Sequence, residues 1–182
     1  IPVLYQSGYV TIKSYRSGIY TLGFPNEEVR ISFIKGLAPY YTGQTVTGNN
    51  SFLIRLISSL NDGDVDKAMT LLRSFFSSIP YNAEKQDEDH YKTIFYLIFT
   101  LASEYSVRTE QCSAAGRCDA LIETEDTIYV FEFKLDGTAE EALKQIDDKG
   151  YAIQYEAGDK KLVKVGVNFE NDKRTIERWV IG

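Results

Sequence analysis

Apolar and polar residues change their spacing along the chain, and each change predicts where one kind of element gives way to another. The opening LYQSGYVTIKSYRSGIYTLGFPN is rich in Tyr, Val, Ile and Thr, with a turn at Arg16-Ser17-Gly18. It predicts a β-hairpin that needs something to pack against. A helix is predicted from Asn26, because Glu27 and Glu28 suit a first turn and Val29, Phe33 and Leu37 recur at helical spacing before Pro39. Asn50 or Ser51 is placed to cap Phe52 to Leu60, and Asp64 to cap Val65 to Phe76, with Asn61-Asp62-Gly63 as the break between them. Pro80-Tyr81-Asn82 is the expected boundary between a hairpin-and-helix portion, residues 1–80, and a second portion, residues 81–182.

Beyond that boundary Glu84 to Tyr105 reads as a long amphipathic helix, acidic at its start and apolar through Tyr91, Ile94, Phe95 and Ile98. The period then shortens. CDALIE and TIYVFEFKL alternate or run apolar as strands, Thr138 to Ala157 returns to helical spacing, and KLVKVGVNF and RTIERWVI are strands again. Thr138 and Glu141 have the spacing of a capping box, which sets the start of the last helix. The order αββαβ indicates an α/β domain.

Composition narrows the class. With 182 residues, 43% hydrophobic and 25% charged, the chain can bury a core, and its longest apolar stretch, Ile94 to Ala102, is too short to span a bilayer. No signal sequence opens it, so a cytoplasmic location is expected; the start at Ile1 rather than Met is expected of a piece of something longer. Cys112 and Cys118, with His90 as the one histidine, cannot furnish four zinc ligands and are expected to be ordinary thiols. A net charge of −6 argues against a broad phosphate-binding surface. Any contact with nucleic acid must be local, at Lys144, Lys149, Lys160, Lys161 or Lys164, or at Arg108 and Arg117. No GxxxxGK[ST] motif occurs, which excludes ATP hydrolysis by a P-loop.

One segment brings ionisable groups into an apolar setting. In GRCDALIETEDTIYVFEFKLDG the second strand puts Ile128, Val130, Glu132 and Lys134 on one face, and Tyr129, Phe131, Phe133 and Leu135 on the other. A two- or four-residue loop centred on Glu125-Asp126 sets Asp119 directly opposite Glu132. Opposed residues have Cβ atoms about 4.5 to 5.5 Å apart, close enough for both carboxylates to share one hard cation. Lys134 lies on the same face, where it can orient an attacking water and offset charge on a phosphoryl transition state. For an arbitrary E-x-K the usual outcome is an ion pair on a solvated edge strand. The flanking phenylalanines and the register of Asp119 weigh against it here.

The pattern G-R-x-D, a short hairpin, E-x-K and a helix containing Gln resembles the PD-(D/E)XK nuclease superfamily. More closely, GRCDALIETEDTIYVFEFKLDGTAEEALKQIDDKGYA is similar to the nuclease-like domain of bacterial proteins that carry an AAA-ATPase-like region at their N-terminus, and YQSGYVTIK and YTLGFPNEEVR resemble the segment that closes that region. The resemblance implies a restriction-endonuclease-like core, αβββαβ, with a central mixed sheet flanked by helices and preceded by a small hairpin-plus-helices segment. It implies a Mg²⁺- or Mn²⁺-dependent nuclease, with an ATPase-like region outside this chain; a nuclease-fold module that binds nucleic acid or a protein with little catalysis is the alternative. Carried over residue by residue, Asp119 and Glu132 would be metal ligands, Lys134 the catalytic lysine and Gln145 the helix residue facing the site. Glu88 would be the acidic residue of the first core helix, although a first-turn acid also complements the helix dipole. Arg117, Lys149 and Tyr151 would contact nucleic acid. Cys118 stands where the superfamily name has proline, and Gln145 to Tyr151 is longer than the Gln-x-x-x-Tyr spacing of exonuclease-like members.

Overall fold

The computed structural model describes residues 2–43, 45–79, 88–102, 108–110, 119–135, 137–170 and 175–182. The chain opens with a short helix, α1 (Pro2–Gln6), where a strand was expected. Proline favours a helix's first position, the Ser7 hydroxyl bonds the Val3 carbonyl, and Gly8 at φ 80° ends the turn. The hairpin follows as β1 (Thr11–Arg16) and β2 (Ile19–Gly23), with Ser17 and Gly18 both at positive φ. Among the described residues it pairs only with itself.

Asn26 caps α2 (Glu27–Thr42) by accepting from the Val29 N–H. This helix runs through Pro39 instead of stopping before it. Pro39 lies in the last turn, where its missing N–H removes a single bond, and the helix closes at Gly43, which is left-handed and donates to the Pro39 carbonyl. α3 (Val46–Asn61) starts earlier than expected, capped by Thr45. A tertiary contact overrides the weak helix formers at its start: buried Asn49 donates to the Thr42 hydroxyl. α4 (Val65–Ser77) follows with Asp64 as its cap, and α5 (Glu88–Ala102) comes next among the described residues. The expected boundary at 80–82 and the expected first turn at 84–87 lie outside the described residues.

Five strands form one mixed sheet in the order β3 (Arg108–Glu110), β4 (Ala120–Glu123), β5 (Thr127–Lys134), β6 (Lys161–Glu170), β7 (Thr175–Ile181). β5 and β6 are parallel and the other pairs antiparallel. The crossover between β5 and β6 carries α6 (Ala139–Asp148), which opens on the Thr138–Glu141 capping box. It ends at Asp148, shorter than the helical spacing suggested, because Gly150 turns left-handed at φ 65° and a 3-10 turn, Ile153–Tyr155, takes over. The periodicity of the chain did not reveal the three-residue β3. The result is the α/β architecture of a restriction-endonuclease-like core, with α6 on one face of the sheet and α3, α4 and α5 on the other.

One hydrophobic cluster joins those three helices to the sheet, running from Ile34 to Ile176. Helices on both sides of residue 80 contribute to it. Polar contacts reinforce the junction: the fully buried Tyr129 donates its hydroxyl to the Leu60 carbonyl at 2.6 Å, and Arg73 Nε donates to the Ile176 carbonyl at 2.7 Å. Among the described residues no helix is long and apolar enough to cross a membrane.

Candidate metal-dependent site under α6

β5 divides its side chains between two environments. Phe133 stacks on Phe95 of α5 with ring centroids 3.9 Å apart, and Phe131 lies 5.8 Å from Phe99. On the opposite face Ile128 and Val130 pack with Ile146 and Ala152 in a second, smaller cluster beneath α6. Glu132 continues that apolar row and is only 3% exposed. A carboxylate so placed is costly unless something compensates its charge.

The β4–β5 register pairs Ala120 with Phe131 and Leu121 with Val130, and Asp119 immediately precedes β4. Asp119 reaches the end of β5 by two bonds. Its N–H donates to Glu132 Oε2 at 3.2 Å, and its Oδ2 accepts from the Phe133 N–H at 2.9 Å. The two acid side chains are thereby locked to one another through the backbone.

Gln145 comes down from α6 between Glu132 and Lys134. Its Nε2 donates to Glu132 Oε1, and its Oε1 accepts from the Lys134 ammonium. A carboxylate only accepts and an ammonium only donates, so the amide's orientation is dictated by its neighbours. Glu132 and Lys134 are thus joined through Gln145, in place of the bare ion pair that E-x-K would make on a solvated strand.

The reach of Gln145 depends on how closely α6 approaches the sheet. Gly166 of β6 is the register partner of Glu132, and a Cβ there would stand 2.1 Å from the Ala139 carbonyl oxygen and 2.5 Å from the Leu143 nitrogen. Only glycine allows the α6 backbone to lie so near. Alternation along KLVKVGVNFE, with valines on the α5 side and Lys164, Gly166 and Asn168 under α6, was the available signal for this position.

Burial, and then the charge of Asp119, push the Glu132 carboxyl up to about 7, against the opposing pull of the Asp119 N–H, Lys134 and Gln145. A hard divalent cation takes one or two carboxylates and fills its remaining positions with water. Two crowded acids, one of them resisting ionisation, fit such an ion, since it would remove the repulsion that raises Glu132. Among the described residues no group of three or more His, Cys, Asp or Glu side chains converges. Glu88 is the first residue of α5, but its side chain lies outside the described residues, as do Arg117, Cys112, Cys118 and the side chain of His90.

The positions expected to contact nucleic acid diverge. Lys149 is exposed just past the end of α6, whereas Tyr151 is half-buried against the cluster of Leu121, Val130 and Ile146. Lys144 pairs with Asp148, Lys164 with Asp147 at 2.6 Å, and Lys160 with Glu123 at 2.9 Å. The Lys144–Asp148 pair is well exposed and worth little, so it does not lock Lys144 away from a phosphate, whereas Lys160 and Lys164 are more enclosed and Lys160 also donates to the Thr124 carbonyl.

A family model of the PD-(D/E)XK nuclease superfamily matches residues 86–179, just over half of the chain. This chain belongs to that superfamily. Membership indicates nuclease-type function, and nucleases of the superfamily generally use divalent metals. The matched stretch contains Asp119, Glu132, Lys134 and Gln145. Over 98% of its length the chain is also similar, at 31% identity, to an uncharacterised protein in the vnfD 5′ region of Azotobacter chroococcum mcd 1. It spans 36% of that protein, about a third of its length. No solved structure matches the chain.

Proposed function

We propose that this domain hydrolyses phosphodiester bonds of nucleic acid with the help of Mg²⁺ or Mn²⁺. The observation that carries the proposal is the contact set of Gln145, which ties a buried carboxylate to the lysine two residues along the same strand face. Asp119 and Glu132 would hold the cation. The cation would polarise the phosphate and favour ionisation of the attacking water. Lys134 would donate to a non-bridging phosphate oxygen and offset the charge that grows there in the transition state. Gln145 would keep the ammonium aligned, and Phe131 and Phe133 hold the strand rigid from behind by packing on α5.

The proposal extends to the setting of the domain. The resemblance of the opening hairpin to the end of an AAA-ATPase-like region supports an ATPase-like partner elsewhere in the same polypeptide, as does the greater length of the Azotobacter relative. The net charge of −6 supports a local grip on nucleic acid near Lys149 and Arg117.

Incubation of the protein with single- and double-stranded DNA and RNA tests the activity, in Mg²⁺, in Mn²⁺ and in excess chelator. Cleavage that needs the cation and is lost in Glu132→Gln is the expected result. Cleavage that persists in chelator would refute the proposal, and the absence of cleavage on every substrate would favour a binding module with little catalysis.

A further inference from the structure

One strand beyond the site, Asn168 of β6 stands opposite Lys134 in the parallel pairing and shares the α6 side of the sheet with Lys164 and Gly166. It is 9% exposed. Its Nδ2 donates to Glu177 Oε2 at 2.7 Å, while its Oδ1 is buried with no hydrogen-bond partner. A buried carbonyl left in that state is costly enough to point to a donor that arrives in use.

Glu177 reaches Asn168 because β7 bulges. Arg178 pairs with Asn168 and Ile176 with Phe169, so Glu177 is an extra residue between consecutive partners, and such a bulge re-aims its side chain. The carboxylate can only accept, which obliges Asn168 to turn its NH₂ toward Glu177 on β7 and leaves its oxygen outside that bond. A polar residue beside the site is thus oriented by a carboxylate that takes no part in the Asp119–Glu132 pair.

Building on the proposed hydrolytic site, we propose that Asn168, oriented by Glu177, is a positioning residue for Lys134. Once the cation is bound, its Oδ1 accepts a hydrogen bond from the Lys134 ammonium, directly or through a single water. Lys134 has three donors. With Gln145 Oε1 taking one from the helix side and Asn168 Oδ1 one from the sheet side, the third is directed at the phosphate or the attacking water.

A crystal structure of the wild-type chain in Mg²⁺ buffer tests this whether or not cleavage is detected, which separates it from failure of the hydrolytic proposal. Lys134 Nζ, or one water shared with it, is expected within about 3.2 Å of Asn168 Oδ1. An Oδ1 turned to a donor away from Lys134, or an amide detached from Glu177, overturns the assignment. In cleavage kinetics Asn168→Leu should lower kcat roughly 10- to 100-fold, with KM and Mg²⁺ affinity unchanged. Combining Asn168→Asp with Glu177→Gln exchanges donor and acceptor while keeping an oxygen toward Lys134, and should restore kcat to within a few-fold of wild type. A double variant as slow as a correctly folded Asn168→Leu, or Asn168→Leu at wild-type kcat, also overturns it.

Discussion

Gly166 lies beside Glu132 in the parallel pairing of β5 and β6, and its missing side chain is what admits α6 close enough for Gln145 to reach the carboxylate. A buried acid and the helix residue that steadies it therefore depend on a position with no functional group.

Gly166→Ala should push α6 outward, destabilise the fold by about 1–3 kcal/mol and separate Gln145 from Glu132. Gly36 provides the contrast. It lies inside α2 at an ordinary helical φ, with nothing within 4 Å of where a Cβ would be. Gly36→Ala should stabilise by about 0.5–1 kcal/mol. Urea denaturation of both variants checks the opposite signs.

Glu132 makes the metal-free protein sensitive to pH. Its folded value of about 7 lies above the ordinary 4.5, so folding favours the protonated form. The corresponding stability is fully present below about pH 4.5 and is lost as pH rises through about 7, roughly 3 kcal/mol in all. Denaturant midpoints measured in chelator from pH 4 to 8 should therefore fall more in wild type than in Glu132→Gln. A cation competes with that proton, so Mg²⁺ affinity should rise over the same interval.

Tyr129 links the sheet to the end of α3 through its hydroxyl on the Leu60 carbonyl. That carbonyl also accepts from the Gly63 N–H, so it is not orphaned when the hydroxyl goes. Tyr129→Phe should cost about 1 kcal/mol and leave Mg²⁺ affinity unchanged. Thermal melts beside a metal titration distinguish this from a site defect.

The central hairpin of the site was legible because its information is local. Alternation along TIYVFEFK assigned the faces of β5, and the short Glu125-Asp126 turn set the register that puts Asp119 against Glu132. The Thr138–Glu141 box likewise marked the start of α6. Features that depend on contacts between packed elements, with no periodicity or turn signal of their own, were not legible. α3 begins early because Asn49 finds Thr42, Gly166 matters because α6 crosses above it, and Glu177 joins Asn168 through a bulge that pairing between β6 and β7 creates. The three residues of β3 are too few to display a period, and β4 supplies their pairing.

The most direct test of a metal-dependent site is calorimetric Mg²⁺ titration beside a cleavage assay on wild type, Asp119→Asn and Lys134→Ala. Removing the Asp119 charge should weaken Mg²⁺ binding and abolish cleavage together. Lys134→Ala should retain Mg²⁺ binding yet lose at least about 100-fold in cleavage, because both carboxylates remain while the water and phosphate lose their ammonium. Cleavage by Lys134→Ala at the wild-type rate, or Mg²⁺ binding unaffected by Asp119→Asn, would contradict the account.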